Sequence, residues 1–107
     1  MRSFKHKFKA KPVKDDGHYF SSTLEWKYFQ HLELLKKSGH ILFFLRQVPF
    51  HLPGGVKYVV DYQIFYSNGD IVFVDVKGME TDSFKFKSKI VENLYPVEIE
   101  IVKKGDF

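Results

Sequence analysis

The spacing of apolar residues changes period along the chain, and each change marks an element. Leu24, Tyr28, Leu32 and Leu35 recur at helical spacing, and Phe29 widens the stripe. Ser22-Thr23-Leu24-Glu25 has the form of a capping box. Gly39 offers a C-terminal stop, and Lys36 and Lys37 suit the negative end of the helix dipole. The pattern therefore predicts a helix from this box to about Ser38. Ile41 to Val48 then runs as an apolar strand until Arg46-Gln47, and Phe50 and Leu52 continue it. Pro49 inside that run marks an edge strand or a bulge. Pro53-Gly54-Gly55 is a turn.

The stretch from Tyr58 to Gly78 reads as two apolar strands joined by a tight turn at Ser67-Asn68-Gly69-Asp70. In its second strand Ile71, Phe73, Asp75 and Lys77 share one face, and Val72, Val74 and Val76 share the other. Both faces are apolar, which predicts cover on both sides. The turn decides where Asp61 lies. A two-residue Asn68-Gly69 turn pairs Tyr62 with Asp75 and points Asp61 away. A three-residue loop with a left-handed Gly69 bulge pairs Tyr66 with Asp70, and so Asp61 with Asp75. A shared carboxylate site requires the second register, which is the one expected.

After Gly78 a loop leads to a second helix, capped by Thr81, Asp82 or Ser83 and running to about Leu94. Phe86, Ile90, Val91 and Leu94 are expected to form its buried stripe. Val97, Ile99 and Ile101 alternate with Glu98 and Glu100 in a last strand with one wet face. The order is helix, three strands in a meander, helix, strand. A crossover through the second helix should bring the last strand parallel to the third, which makes an α/β domain with a mixed sheet flanked by helices.

Composition changes this picture in three ways. With 107 residues the chain suits one domain, and a homodimer would enlarge its modest core. The absence of cysteine excludes disulfides, thiolate zinc sites and cysteine nucleophiles. No apolar run approaches a membrane span and no signal-peptide core is present, so a soluble cytoplasmic protein is expected. The net charge of +4 is uneven: Arg2, Lys5, Lys7, Lys9, Lys11 and Lys14 precede the first helix. Residues 1–16 are expected to be a flexible basic arm suited to a polyphosphate backbone, or merely a solubilising tail, with residues 17–107 as the folded domain.

The charged residues of the central hairpin carry the candidate chemistry. Unpaired charge inside a strand is costly. Asp61 and Asp75 on neighbouring strands repel each other, and a divalent cation relieves that repulsion. Oxygen ligands favour magnesium, with manganese as a substitute, and the carbonyl of Val76 is a further candidate ligand. Lys77 projects to the same side as Asp75 and is placed to position a nucleophile or to neutralise a phosphoryl transition state. Each residue also has a structural reading. Asp75 and Lys77 would make a cross-strand ion pair. Asp61 would cap a turn, and Glu25 would complete its capping box. Arg46 and Gln47 would simply end a strand, and Lys85, Lys87 and Lys89 would form a solvated helix face. The five histidines show no ligand spacing.

Glu25, Asp61 and Asp75-Val76-Lys77, in this order of elements, resemble the PD-(D/E)XK nuclease superfamily and its αβββαβ core. A tighter likeness spans His18 to Val102 and is to small phage-encoded endonuclease-like proteins of a domain-of-unknown-function family. It is carried by Phe20-x-Ser22-x-x-Glu25, Gln47-x-x-Phe50, Tyr58-x-x-Asp61, Asp75-Val76-Lys77-Gly78, and Thr81-Asp82 with Lys85 and Lys87. The resemblance implies a restriction-endonuclease-like fold, with Glu25 completing or buffering a metal site. It implies Asp61 and Asp75 as ligands, Lys77 as the catalytic lysine and Gln47 as a secondary site residue. The chain departs from the superfamily's name motif in having Val60 before Asp61 and Asp75 in place of the commoner glutamate.

The expected function is a magnesium-dependent DNA endonuclease. A likeness to archaeal Holliday junction resolvases points to a homodimer on branched or recombination DNA. Lys5, Lys7, Lys9, Lys85, Lys87 and Lys89 are the expected DNA contacts. The alternatives are a nicking or restriction-like phage nuclease, a nonenzymatic nucleic-acid-binding module, and a toxin-like or capsid-associated phage protein.

Overall fold

A computed structural model describes residues 11–15 and 17–107. A short antiparallel hairpin of β1 (Val13–Asp15) and β2 (His18–Phe20) precedes helix α1 (Thr23–Lys37). Then come β3 (Ile41–Leu52), β4 (Val56–Tyr66), β5 (Ile71–Val76), α2 (Asp82–Leu94) and β6 (Ile99–Val102). The strands β3 to β6 form one sheet in sequence order, antiparallel except for the parallel β5–β6 pair. The protein is thus an α/β domain with a mixed four-stranded sheet and the expected αβββαβ order. Among the described residues no helix is long and apolar enough to cross a membrane.

Both helices start, and α1 also stops, where the local chemistry directs. The Ser22 hydroxyl accepts the Glu25 N–H at 3.0 Å, and Thr81 accepts the Phe84 N–H at 3.1 Å. Helix α1 ends with the Gly39 N–H donating to Lys36 and the His40 N–H to Leu35. Gly39 itself has φ +84°, the left-handed conformation such an ending requires. Pro49 sits in β3, an edge strand where one lost donor is tolerated. The β3–β4 register shifts between Ile41 and Phe43, not at the proline.

Two apolar clusters cover the sheet. Tyr28 and Leu32 of α1 pack with Ile41, Tyr62, Ile64, Val74 and Val76. Phe84 and Val91 of α2 pack with Phe50, Leu52, Tyr58, Val60 and Ile99, with Phe73 against them. Val74 and Phe73 alternate between the clusters, so β5 is covered on both faces as its pattern predicts. On β4 the change of cluster falls along one face, between Tyr62 and Val60. Asp61 lies at that change-over. Opposite it, between the pairs Arg46–Tyr62 and Val48–Val60, lies Gln47 with φ +56°.

Three expectations are corrected. The buried stripe of α2 uses Phe84, not Phe86, which is 68% exposed, and Leu94 is exposed as well. Phe84 lies two residues into the helix, seven before Val91, and its ring is held over the β3–β4 end of the sheet. The arm does not extend to residue 16: Val13–Asp15 pairs with β2, and Asp15 accepts the Trp26 indole N–H at 3.0 Å. Residues 1–10, including Lys5, Lys7 and Lys9, lie outside the described residues. Val97 precedes β6 rather than opening it.

Candidate functional site

The loop after β4 has three residues. The Tyr66 N–H donates to the Asp70 carbonyl at 2.8 Å, and the Gly69 N–H to the Tyr66 carbonyl at 3.0 Å. Gly69 has φ +99°. From there Phe65 pairs with Ile71, Ile64 with Val72, Gln63 with Phe73 and Tyr62 with Val74. The next step of that register sets Asp61 beside Asp75, as expected for a shared site.

At this step side chains replace the backbone ladder. Asp75 Oδ1 accepts the Asp61 N–H at 3.0 Å, and Asp61 Oδ2 accepts the Val76 N–H at 2.9 Å. Each carboxylate is thereby tied to the strand that carries the other. Asp75 is fully buried, and its Oδ2 accepts the hydroxyl of Tyr58. Burial, followed by the Asp75 hydrogen bond, pushes the Tyr58 hydroxyl well above its ordinary range. Burial also pushes the Asp61 carboxyl up to about 7, with the Asp75 and Glu25 charges adding to it. The Val76 N–H and Lys77 pull the other way without cancelling the effect.

Lys77 is part-buried, with its ammonium 4.6 Å from the centre of the Phe84 ring. It acts on Asp61 through space, and among the described residues it makes no ion pair with either aspartate. The alternative reading of Asp75 and Lys77 as a simple cross-strand ion pair does not describe this arrangement.

Glu25 is built differently. Its backbone N–H donates to the Ser22 cap, but its side chain does not complete the capping box. The carboxylate is 2% exposed and accepts Ser21 Oγ at 2.8 Å, Arg46 Nη2 at 3.2 Å and Gln47 Nε2 at 3.2 Å. Its place in the first turn of α1 adds the favourable end of the helix dipole. Arg46 is therefore not a polar strand end. It reaches inward over the Phe20 ring, 4.1 Å from its centre, and pairs with Glu25 at 3.2 Å. A cleft of about 380 Å³ opens beside this pair, lined in part by His18, Ser21, Arg46 and Gln47. A larger groove of about 720 Å³ on the β5–β6 side is lined by Glu92, Glu98 and Glu100, which makes it a poor surface for a polyanion.

The fold thus joins the predicted residues in two groups. Asp61, Asp75, Val76 and Lys77 meet on β4 and β5, while Glu25 and Gln47 meet across α1 and β3. The effect of Glu25 on Asp61 links the two. Two contributors escape a reading of chemistry along the chain, Arg46 and Tyr58. Along the chain Arg46 reads only as the polar end of a strand, and Tyr58 only as part of the Tyr58-x-x-Asp61 pattern, so neither carries a chemical role there. What conceals them is that their partners are 21 and 17 residues away.

Among the described residues no three His, Asp or Glu side chains converge on one point as a ready-made metal cage. Two hard carboxylates still fit magnesium, which commonly binds through one or two carboxylates and keeps waters or substrate phosphate elsewhere. Among the described residues each Asp75 oxygen has one donor and a lone pair left over. Asp61 Oδ1 has no hydrogen-bond partner among the described residues. Glu25 fits less well as a ligand, because its oxygens are already held by three donors, one of them the Arg46 guanidinium that also pairs its charge.

Lys85 and Lys89 are exposed on α2 and Lys87 is part-buried, with the exposed Phe86 between them. The search of curated proteins found no match. A family model described as "Protein of unknown function (DUF1064)" matches residues 5–105, nearly the whole chain, and the chain belongs to that family.

Proposed function

We propose that this protein is a magnesium-dependent DNA endonuclease of the PD-(D/E)XK type that hydrolyses backbone phosphodiesters. The observation that carries the reading is the Asp61–Asp75 pair: two carboxylates on adjacent strands, one fully buried, whose mutual charge the described residues leave under-compensated. The described residues neutralise the buried Glu25 carboxylate but not this pair, which supports a cation there.

Asp61 and Asp75 would hold the ion, and manganese should replace magnesium. When bound, the ion supplies charge neutralisation at the scissile phosphate and makes water more acidic. Lys77, poised on Phe84 beside the pair, offers positive charge to phosphoryl oxygens as the new oxygen–phosphorus bond forms and the bond to the sugar oxygen breaks. Glu25, held by Arg46 and Gln47, buffers the site. Lys85, Lys87 and Lys89 lie just beyond Lys77 in the chain and suit phosphate contacts. Exposed Leu42, Phe43, Leu45 and Ile71 give a second copy an apolar surface, which supports a homodimer on branched or recombination DNA. The cytoplasm, of a host cell if the protein is phage-encoded, is the proposed setting.

The test is incubation with four-way junction, flap, duplex and single-stranded DNA, under magnesium, manganese or EDTA, with Asp75→Ala in parallel. Metal-dependent cutting that the variant lacks is the expected result, with the junction preferred. Preference for duplex would indicate a nicking or restriction-like enzyme. Binding without cutting under either metal would make the protein a nucleic-acid-binding module.

A further inference from the structure

Tyr58 is a buried, titratable residue to which the proposed reaction gives no part. It is 8% exposed on β4, three residues before Asp61. Its hydroxyl donates to Asp75 Oδ2, while the Asp61 N–H donates to Oδ1. The Asp75 carboxylate is therefore held at both oxygens, so it cannot rotate without losing a bond. Its remaining lone pairs keep fixed directions. The Tyr58 ring lies against Phe84, with centroids 6.1 Å apart, and the Lys77 ammonium lies 4.6 Å from the centre of that same ring. Tyr58 and Lys77 thus share one aromatic support on the first turn of α2, anchored by the Thr81 cap.

We infer that Tyr58 is the positioning residue of the divalent-cation site: its hydroxyl fixes the orientation of Asp75, and Phe84 ties that orientation to the placement of Lys77. A purely structural tyrosine would need only some acceptor. This one spends its hydroxyl on the buried carboxylate that the site depends on, although backbone acceptors are used by other tyrosines here, Tyr62 on Glu25 and Tyr95 on His51. Outer-shell hydrogen bonds to ligating carboxylates commonly change metal affinity about 10- to 100-fold. The inference rests on the endonuclease reading for the identity of the site, but its test reads binding and not cleavage.

The experiment is calorimetric titration of Mn2+ into the full-length protein and into Tyr58→Phe, below the melting temperature of both, with circular dichroism to confirm the fold. The expected result is Mn2+ binding by the unsubstituted protein and a dissociation constant about 10- to 100-fold weaker in the variant. Phe84→Leu should weaken binding less, because Asp75 keeps its hydroxyl donor. Equal affinity in Tyr58→Phe would overturn the positioning role and leave the endonuclease reading standing. No Mn2+ binding by the unsubstituted protein would overturn both. Should Tyr58→Phe fail to fold, the unsubstituted protein decides: the Cζ resonance of Tyr58 should move with Mg2+ along a saturating curve, and an unmoved resonance overturns the role.

Discussion

Two acidic sites lie close together in this fold, linked by Gln47 opposite Asp61, and they are treated in opposite ways. Glu25 is surrounded by donors: a serine hydroxyl, a guanidinium, an amide and the start of a helix. Asp61 and Asp75 receive one N–H from each other's strand and one tyrosine hydroxyl, and the nearby lysine stays out of ion-pair reach. Glu25 is a charge whose desolvation the protein itself offsets. The aspartate pair is a charge excess kept beside a part-exposed surface. Compensation suits the first to architecture, and the proposed function places its cation at the second, where the described residues supply less compensation.

The largest expected effect tests the under-compensated site. Asp61→Ala and Asp75→Ala should each lower magnesium-dependent cleavage by about a thousandfold or more, as removal of a ligand to the ion that activates the reaction would. Initial rates on labelled junction DNA measure this. Retention of more than a tenth of the activity in either variant would erase the proposed distinction between the two sites.

The compensated site should respond in stability. Arg46→Ala leaves Glu25 buried with its ion pair removed, and should cost about 3–5 kcal/mol in chemical denaturation. Asp61→Asn should do the reverse in metal-free protein at neutral pH and above, gaining about 1–3 kcal/mol, because it removes a charge that the folded state disfavours and keeps an acceptor for the Val76 N–H. A destabilised Asp61→Asn would show that this carboxylate is already satisfied.

The same asymmetry fixes a pH dependence. The Asp61 carboxyl titrates at about 7 in the folded chain and at about 3.8 ordinarily. Between these values the folded state holds a proton that the unfolded chain has released. Stability from this group is therefore full below about pH 4 and is lost as pH rises through 7. Metal-free melting temperature should fall across that window, and the fall should be smaller in Asp61→Asn. Magnesium should raise the melting temperature more at pH 8 than at pH 5.5, because binding requires the proton to leave.

The smallest effect concerns the backbone that presents Gln47 to Glu25. A non-glycine residue at φ +56° carries strain of about 1–2 kcal/mol. Gln47→Ala keeps the strain and loses the hydrogen bond to Glu25, whereas Gln47→Gly loses the bond and relieves the strain. The glycine variant should be the more stable by about 1 kcal/mol in urea melts. Equal stability would mean that the left-handed conformation costs nothing there.

Much of this site was legible along the chain. The Ser67-Asn68-Gly69 stretch allowed two registers, and the expectation of a shared carboxylate site selected the three-residue loop that the fold adopts and that makes Asp61 and Asp75 neighbours. Strand alternation then put Lys77 on the side of Asp75. These are local rules, set by turn geometry and by the two-residue period of a strand. Capping residues likewise set both helix starts, and Gly39 set the end of α1. The sequence could not reveal which of Phe84 and Phe86 would face inward, because a helix of thirteen residues with two competing aromatics has no local preference between them. Nor could it reveal that Arg46 would neutralise Glu25, or that Tyr58 would donate to Asp75. Those contacts join residues far apart in the chain, and they form only when α1 packs on β3 and β4 pairs with β5. Alternation and turns act over a few bonds and are written in neighbouring residues. Whether a buried charge is compensated depends on donors from other elements, so only the tertiary structure decided it.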